Sequence, residues 1–311
     1  MESLFNALPG AVSQGLIWGI MAIGLYITYK ILELSDLTVD GSFCTGGAVC
    51  AMLMAAGWNV WAAMGIAFIV GMLTGWVTSF FHTKLGIPAI LSGILTQLGL
   101  WSINLAIMGM KANQALNVNK LDLLVSLRYL SAVAKGTKPF YMHPLITVGL
   151  FTAAIVAVLY WFFGTELGAS IRATGANANM ARAQGINTDR NKVLGLMISN
   201  GLVALSGALL AQFQGFADIN MGRGAIVIGL AAIIIGEVVF GKLFKNFALK
   251  LTAVSLGAII YYVVIQAVIS LLDIDSNYLK LLSALIVAVF LAVPNLRQKF
   301  FKFHRKERSH A

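Results

Sequence analysis

The stretch "GTELGASIRATGANANMARAQGINTDRNK", residues 164–192, is polar, rich in Gly, Ala and Asn, and carries four cations between two apolar runs. Its setting is a 311-residue chain that is 59% hydrophobic and only 11% charged. Soluble domains carry about 25% charged residues, and a chain this apolar could not cover its surface with polar groups in water. The composition therefore predicts an integral membrane protein in which residues 164–192 form a hydrophilic connection at one membrane face.

Runs of about 17–25 apolar residues are long enough to cross a bilayer as helices. Such runs predict an all-α, polytopic membrane protein with about eight or nine spans, and the second, seventh and ninth runs are short. The first run is expected to be a retained span, because no basic region or small-residue cleavage site accompanies it. The predicted spans are residues 13–32, 42–57, 60–80, 88–108, 144–163, 193–213, 224–240, 248–271 and 279–293.

The distribution of Lys and Arg sets the expected orientation. With the basic tail, residues 295–311, placed inside, the inner connections and the tail hold 15 cations and the outer connections hold seven. The net charge of +10 thus indicates membrane topology rather than nucleic-acid binding. We expect a multi-pass protein of the plasma (inner) membrane with a cytoplasmic C-terminus. Residues 1–311 form one transmembrane domain, 164–192 a cytoplasmic loop and 109–143 an extracytoplasmic loop.

Within the cytoplasmic loop, "ANANMARAQG" predicts a two-turn helix. Thr174 or Asn177 could cap its start, and Gly185 suits the left-handed position that ends a helix. One face carries Asn177, Ala181 and Gln184, and an adjacent apolar knob is formed by Met180 and Ala183. The helix could enter a groove of another protein, with Arg172 and Arg182 pairing with carboxylates there, or it could lie on lipid headgroups.

Two breaks interrupt the spans, "LELSDLTVDGSFCTGG" (residues 32–47) and "GFADINMGRGAIVIG" (residues 215–229). Each follows an apolar span and opens a Gly-rich one, and the expected topology puts them on opposite sides of the membrane. Two inverted repeats with discontinuous helices would produce this arrangement. Ordinary turns whose acids face water are the alternative. The residues that we place near a translocation path are Asp36, Thr38, Ser42, Gln97, Gln212, Asp218 and Asn220.

Three further features have structural and functional interpretations. Gln97 and Gln212 are polar groups inside spans, where bonding between helices is favoured over pore lining. Glu237 is expected to pair with Lys242 near the cytoplasmic surface rather than to relay protons. In the outer loop, "LDLLVSLRYLSAV" (residues 121–133) has an apolar residue at every third position, which predicts a helix on the outer interface.

Three stretches together resemble one family of membrane proteins. "GASIRATGANANMARAQGI" is similar to the cytoplasmic-loop signature of permeases in ABC importers of the branched-chain amino acid and ribose type. The second stretch is the downstream run that begins with "ALSGALLAQFQGF" and ends with "GLAAIIIGEVVFG", and the third is the upstream "LSDLTVDGSF". All three occur in the order expected for that family. The likeness covers residues 13–293, and within the family it is to permeases of the tryptophan/tyrosine type. Glu237 departs from the family pattern, in which a second Gly is common.

The resemblance implies a role for the cytoplasmic loop. In such permeases it forms a coupling helix that sits in a cleft of a separate ATPase, and ATP-driven closure of two ATPases switches the pore. This chain has no G-x-x-x-x-G-K-[ST] phosphate loop, so ATP would be bound by the partner and the chain itself needs no cofactor and is not an enzyme. The implied coupling residues are Glu166, Gly168, Arg172, Thr174, Gly175, Asn177, Asn179, Met180, Ala181, Arg182, Gln184 and Gly185.

The same resemblance implies a homodimer in the lipid bilayer, with an extracytoplasmic binding protein as a second partner and an amino acid or similar solute as cargo. No metal ligand spacing or nucleic-acid motif is evident in the sequence. Two other classes stay open at this point. A secondary transporter could use Asp36, Asp40 or Glu237 to couple uptake to an ion gradient, and a nonenzymatic membrane scaffold would need none of them.

Overall fold

The computed structural model describes residues 2–118, 121, 123–134, 142–272, 281, 283–285 and 287–289. These residues form an all-helical bundle with one short two-stranded ladder. The helices are α1 (Glu2–Tyr26), α2 (Val39–Ala55), α3 (Val60–Thr83), α4 (Ala89–Ile107), α5 (Leu127–Ala134), α6 (Pro144–Gly164), α7 (Glu166–Ala176), α8 (Ala178–Ala183), α9 (Thr188–Gln214), α10 (Ala225–Phe240) and α11 (Phe247–Leu272). The strands are β1 (Asn113–Ala115) and β2 (Phe216–Asp218), which pair antiparallel.

Six of the described helices are long and apolar enough to cross a membrane: Ala7–Ile31, α3, α4, α6, α9 and Phe247–Ser270. The first of them includes a π-helical turn, Ile27–Ile31, that continues α1. Two shorter apolar helices, α2 and α10, complete a polytopic membrane protein. Eight of the nine predicted spans thus correspond to apolar helices. Most of the ninth, 279–293, and all of the basic tail, 295–311, lie outside the described residues.

Helix α9 runs along the bundle from one end to the other, and its 27 residues extend over about 40 Å at 1.5 Å per residue. It begins at Thr188, within the 164–192 segment, and we call this end of the bundle the polar end. It ends at Gln214, beside the β1–β2 ladder, and we call that end the ladder end. Asn200, the thirteenth residue of α9, marks the middle of the bundle. Both α2 and α3 pack along α9. The close approach of α2 requires glycine, since side chains at Gly46 or Gly207 would collide with the opposing backbone.

The first break, residues 32–38, turns back into the bundle from the polar end. The turn is made at Glu33, whose φ of 52° is uncommon for a residue other than glycine. Four residues later in the chain, Leu37 packs against Gly93 of α4. Asp36 is already at the middle of the bundle, since its carboxylate accepts a 2.7 Å hydrogen bond from Asn200. Consequently α2 starts halfway through the bundle and runs only to the ladder end.

The second break, residues 215–224, enters from the other direction. It leaves α9 at Gly215 (φ 83°), pairs with β1 at the ladder end, and descends to Gly222, which lies against the backbone of Asp40. Helix α10 starts there and runs to the polar end, so the N-termini of two half-length helices meet near the middle. The breaks therefore enter from opposite ends, as the sequence predicts, but both reach the same depth.

The helices around these breaks pack in a repeated pattern. The long helix α9 packs against α2 and α3, and the long helix α1 packs against α10 and α11 in the same way. The two long helices also contact each other at the centre of the bundle. Each half of this arrangement consists of a long helix, a break, a half-length helix and another long helix.

The connection between α4 and α6 differs from its prediction. The sequence predicts a helix over residues 121–133, but the described residues 121 and 123–126 are not helical and α5 covers only Leu127–Ala134. Buried contacts replace the missing first turns: Leu123 and Val125 are buried in the core. The backbone N–H of Leu124 donates to the side chain of Gln212.

Candidate functional site

The polar end of the bundle presents the short helix α8 at its surface. Its start is capped by Asn177, whose side-chain oxygen accepts from the backbone N–H of Met180 at 3.0 Å. Its end is followed by Gly185 with a φ of +82°. The sequence-based predictions of a two-turn helix, of a cap at Asn177 and of a left-handed Gly185 are therefore confirmed, and Thr174 is excluded as the cap.

Side chains on α8 divide into a buried and an exposed set. Ala181 is buried against the bundle, whereas Met180 keeps 59% of its surface exposed. Methionine is flexible and polarizable, so an exposed Met180 is suited to an irregular groove of another protein. The exposed neighbours of Met180 in the predicted coupling set are Asn177, Asn179, Arg182, Gln184 and Gly185.

Helix α7 is held rigidly beneath α8. Two of its glycines make backbone contacts that any side chain would block: Gly168 lies on Phe163, and Gly175 lies on the carbonyl oxygen of Ile31. The hydroxyl of Thr174 accepts from the Nδ2 group of Asn191 at 2.8 Å, which ties α7 to α9. These contacts fix α7 against the ends of α1 and α9.

The charged members of the predicted coupling set lie at the surface. Glu166 is exposed in the first turn of α7, where a carboxylate is favourable near the helix N-terminus, and Arg172 is exposed farther along the same helix. Arg182 is also exposed, and its guanidinium donates to Thr188 at 2.9 Å and lies 3.9 Å from the carboxylate of Asp189. Arg182 therefore stabilises the junction between α8 and α9.

An ion pair connects this region to α10. Lys30, in the π-helical turn that continues α1, lies 3.0 Å from the carboxylate of Glu237 near the end of α10. The expected pairing of Glu237 with Lys242 is therefore wrong. The sequence interval of 207 residues between the two partners hid the contact, and the packing of α10 on α1 creates it.

Three predicted path residues belong to a closed polar network among α2, α3, α4 and α9. Asp36 accepts from the backbone of Thr38 and from Asn200, and Ser42 bonds to both Asn200 and Thr74 at 2.7 Å. A second branch joins the hydroxyls of Thr38, Thr78 and Thr96. These groups are buried and satisfy one another. The network fixes the start of α2, and the role of Asp36, Thr38 and Ser42 in transport stays a prediction.

Gln97 faces a different environment from these residues. It lines a cavity of about 260 Å³ where the N-termini of α2 and α10 meet. Asp40, in the first turn of α2, accepts hydrogen bonds at 3.0 Å from the backbone N–H groups of Gly224 and Ile226 and thereby caps α10. The cavity is lined by Asp40, Gly41, Cys44, Gln97, Leu98, Trp101, Asn104, Ile219 and Arg223.

The remaining predicted path residues lie toward the ladder end. Gln212 is fully buried, its Nε2 group donates to the thiol of Cys50 on α2 at 3.6 Å, and its Oε1 atom accepts from the N–H of Leu124, which agrees with the expected bonding between helices. Asp218 belongs to β2 and accepts from the N–H of Asn220 at 2.7 Å. Asn220 is exposed and lines a second cavity of about 500 Å³ on the α1 and α11 side. The structure thus places the seven predicted path residues in three separate settings.

Four residues that the path prediction omits turn out to organise the centre. They are Asp40, which caps α10, Asn200, which holds Asp36, and Asn104 and Trp101, which line the 260 Å³ cavity. The sequence carried a signal for the asparagines, because polar side chains inside apolar helices usually face the bundle or a cavity.

The multiple apolar helices, with a short capped helix exposed at one end of the bundle, define a polytopic membrane protein. Residues 8–293 match the family model described as the permease component of a branched-chain amino acid transport system. The chain therefore belongs to this family of ABC importer permeases and is a transport component rather than an enzyme. The resemblance stated from the sequence motifs is confirmed.

Two relatives are similar to this chain over most of their length, and one solved structure has a similar fold. The chain is 39% identical over 301 residues to the tyrosine transport system permease protein of Clostridioides difficile (strain R20291), covering 97% of this chain and 96% of that one. It is 35% identical over 288 residues to an uncharacterized protein of Rickettsia prowazekii (strain Madrid E), covering 92% and 97%. Its fold is similar to PsaBC from Streptococcus pneumoniae in complex with Fab, with a TM-score of 0.50, 15% identity and coverage of 93% and 89%.

Proposed function

We propose that this chain is the membrane-spanning permease subunit of an ATP-binding cassette importer that carries an amino acid, with tyrosine as the first candidate, into the cell. A separate ATPase docks on residues 164–192 and supplies the energy. The exposed Met180 on the capped helix α8, in a chain that belongs to this permease family, is the observation that carries the proposal. The tyrosine assignment rests on the 39% identical relative.

The coupling route that we propose leads from α8 to the centre of the bundle. A push on α8 reaches α7, which contacts the backbone of Ile31 through Gly175. The π-helical turn that contains Ile31 also carries Lys30, and Lys30 is paired with Glu237 on α10. Because α10 begins at the central cavity, movement of its polar end is transmitted to the groups around Asp40. π-Helical turns occur frequently at functional sites.

The repeated packing pattern supports an inverted repeat as the basis of alternating access. Helices α1, α2 and α3 correspond to α9, α10 and α11 in order, with a break after the first member of each set. The two half-length helices run in opposite directions from the middle of the bundle. Transporters built on inverted repeats place discontinuous helices at the substrate path and move one repeat against the other.

The proposed assembly has three kinds of component. Two copies of this chain face two ATPases in the cytoplasm, and an extracytoplasmic binding protein delivers the solute to the ladder end. In this orientation, residues 164–192 and the C-terminal tail lie in the cytoplasm, and residues 109–143 lie outside. The connections and tail at the polar end of the bundle carry more Lys and Arg residues than those at the ladder end, and this excess supports the orientation.

The test replaces Met180 by glutamate in the complex reconstituted in proteoliposomes with its ATPase and binding protein. We expect ATP-driven uptake of L-tyrosine and association of the ATPase to be lost, because a charge enters an apolar contact that excludes water. The matched control is Met110→Glu, since Met110 is 73% exposed at the other end of the bundle. Normal ATPase association in the Met180→Glu protein would contradict the docking assignment.

A further inference from the structure

The 260 Å³ cavity at the junction of α2 and α10 contains a buried polar atom without a partner. Asn104 is 1% exposed, and its Nδ2 group donates to the carbonyl oxygen of Gly41 at 3.4 Å. Its Oδ1 atom has no hydrogen-bond partner. A buried polar group normally has a partner, and an exception at a cavity wall indicates a place for a ligand. Because the free atom is an amide oxygen, the missing partner must be a donor.

A second acceptor stands beside Asn104. Asp40 uses one lone pair on each carboxylate oxygen for the N–H groups of Gly224 and Ile226. An ionised carboxylate offers about four acceptor positions, and the backbone N–H of Ala225 also contributes a hydrogen bond, so about one position remains available. The carboxylate of Asp40 and the Oδ1 atom of Asn104 together suit a cationic donor such as an ammonium group.

A cationic side chain that suits the carboxylate of a ligand lies on the same cavity wall. Arg223 lines the cavity, and its guanidinium makes no ion pair with the described carboxylates. Arg223 therefore suits the carboxylate of a ligand.

The rest of the cavity is apolar. Trp101 and Leu98 on α4 face it, together with Ile219 from the second break. An indole surface accepts an aromatic ring or an aliphatic side chain and contributes most of the contact area in such sites. The wall thus offers acceptors, a cation and an apolar platform within a volume slightly below that of typical small-molecule sites.

We propose that this cavity is a substrate site within the permease itself, which receives a zwitterionic α-amino acid with a large apolar or aromatic side chain on its way through the bundle. The ammonium group binds Asp40 and Asn104, the carboxylate binds Arg223, and the side chain lies on Trp101. This site deepens the proposed function and rests on it. It gives the permease its own selectivity, in addition to that of the binding protein.

The experiment measures equilibrium binding of radiolabelled L-tyrosine to the purified permease in lipid nanodiscs, without ATPase or binding protein. We expect saturable binding that is weakened about tenfold or more in Asn104→Leu and in Arg223→Gln, since each loses a hydrogen bond to a charged group. Asn117→Leu and Arg190→Gln are the matched controls, because both residues are exposed and outside the cavity lining. These controls should bind L-tyrosine as the unmodified protein does.

Two analogues test recognition of both charges. Tyramine lacks the carboxylate and 3-(4-hydroxyphenyl)propanoate lacks the ammonium group, so each should compete at least about tenfold more weakly than L-tyrosine. The proposal is overturned if the unmodified permease shows no saturable binding, if Asn104→Leu and Arg223→Gln bind normally, or if either analogue competes as well as L-tyrosine.

The two levels of the proposal fail separately. If the full complex shows ATP-driven uptake but the permease alone does not bind L-tyrosine, the cavity site is refuted and the importer assignment is retained. If the permease binds L-tyrosine in the expected charge-dependent way, the cavity site is supported. If the full complex nevertheless takes up L-tyrosine without ATP, the importer assignment is refuted. Because Arg223 is exposed, Arg223→Gln keeps the test valid even if Asn104→Leu does not fold.

Discussion

Asn200 and Asn104 allow a direct comparison of a structural and a ligand-binding asparagine. Both are buried in helices that are long and apolar enough to cross a membrane, with exposed fractions of 0% and 1%. Asn200 donates to Asp36 at 2.7 Å and to the carbonyl of Leu196 at 3.0 Å, and it accepts from Ser42 at 2.7 Å. Asn104 donates to the carbonyl of Gly41 at the longer distance of 3.4 Å, also interacts with the thiol of Cys44, and leaves its Oδ1 atom free.

The same change, to leucine, should therefore have different consequences at the two positions. In Asn200→Leu, Ser42 keeps its bond to Thr74, but one oxygen of the buried Asp36 carboxylate loses its donor. An orphaned buried group costs about 1–3 kcal/mol, and a charged one costs more. In Asn104→Leu, Gly41 keeps the hydroxyl of Thr45 as a donor and an orphaned acceptor disappears, so the change in stability should be close to zero.

Thermal stability in one detergent measures this difference, with the fraction of monodisperse protein followed by size-exclusion chromatography after heating. At about 2 °C per kcal/mol for a chain of this size, Asn200→Leu should lower the apparent Tm by about 2–6 °C. Asn104→Leu should leave it unchanged while it weakens L-tyrosine binding. Equal losses of Tm in the two proteins, or a larger loss in Asn104→Leu, would show that the hydrogen-bond accounting is wrong.

Two predictions concern the coupling route. Gly175→Val should abolish ATP-driven uptake, because the added side chain collides with the carbonyl oxygen of Ile31. The control Gly164→Val should be tolerated, since nothing lies within 4 Å of a side chain at that position. Normal uptake by the Gly175→Val protein would exclude α7 from the coupling route. Glu237→Lys should reduce uptake per ATP hydrolysed by repelling Lys30, and Lys30→Glu in the same protein should restore it. Since both partners are about 40% exposed, stability should change by no more than about 1 kcal/mol, and failure of the double reversal to restore coupling would exclude this ion pair as a link.

Local patterns in the sequence were sufficient for the elements with short-range causes. Apolar length identified the membrane helices, because a bilayer imposes one hydrophobic thickness on each. The capping preferences of Asn177 and Gly185 located α8, because both act within one turn of the residue itself. The two breaks were visible as polar, Gly-rich interruptions, and their entry from opposite ends followed from counting spans.

Contacts between distant parts of the chain could not be read in this way. The pairing of Lys30 with Glu237 and the capping of α10 by Asp40 depend on how α10 packs against α1 and α2, and nothing near these residues encodes it. Similarly, Asp36 and Gln97 are equally polar interruptions of apolar sequence. Only the packing decides that Asp36 enters a closed network and that Gln97 faces a cavity.

The two half-length helices are held in unequal ways, and this inequality suggests which of them moves. The start of α2 is fixed on α9 by the network around Asp36 and Asn200, and the close approach at Gly46 leaves no space for α2 to shift. The start of α10 is tied to α2 through the two backbone bonds to Asp40. Its other end is tied to α1 through an exposed ion pair whose contribution to stability is small, and it packs closely on α11 at Gly236 and Gly257. We infer that α10 shifts together with α11 against a fixed α2 when the polar end is pushed. A shift of α10 breaks the bonds to Asp40 first and leaves that carboxylate free to hold or release the ammonium group of a substrate.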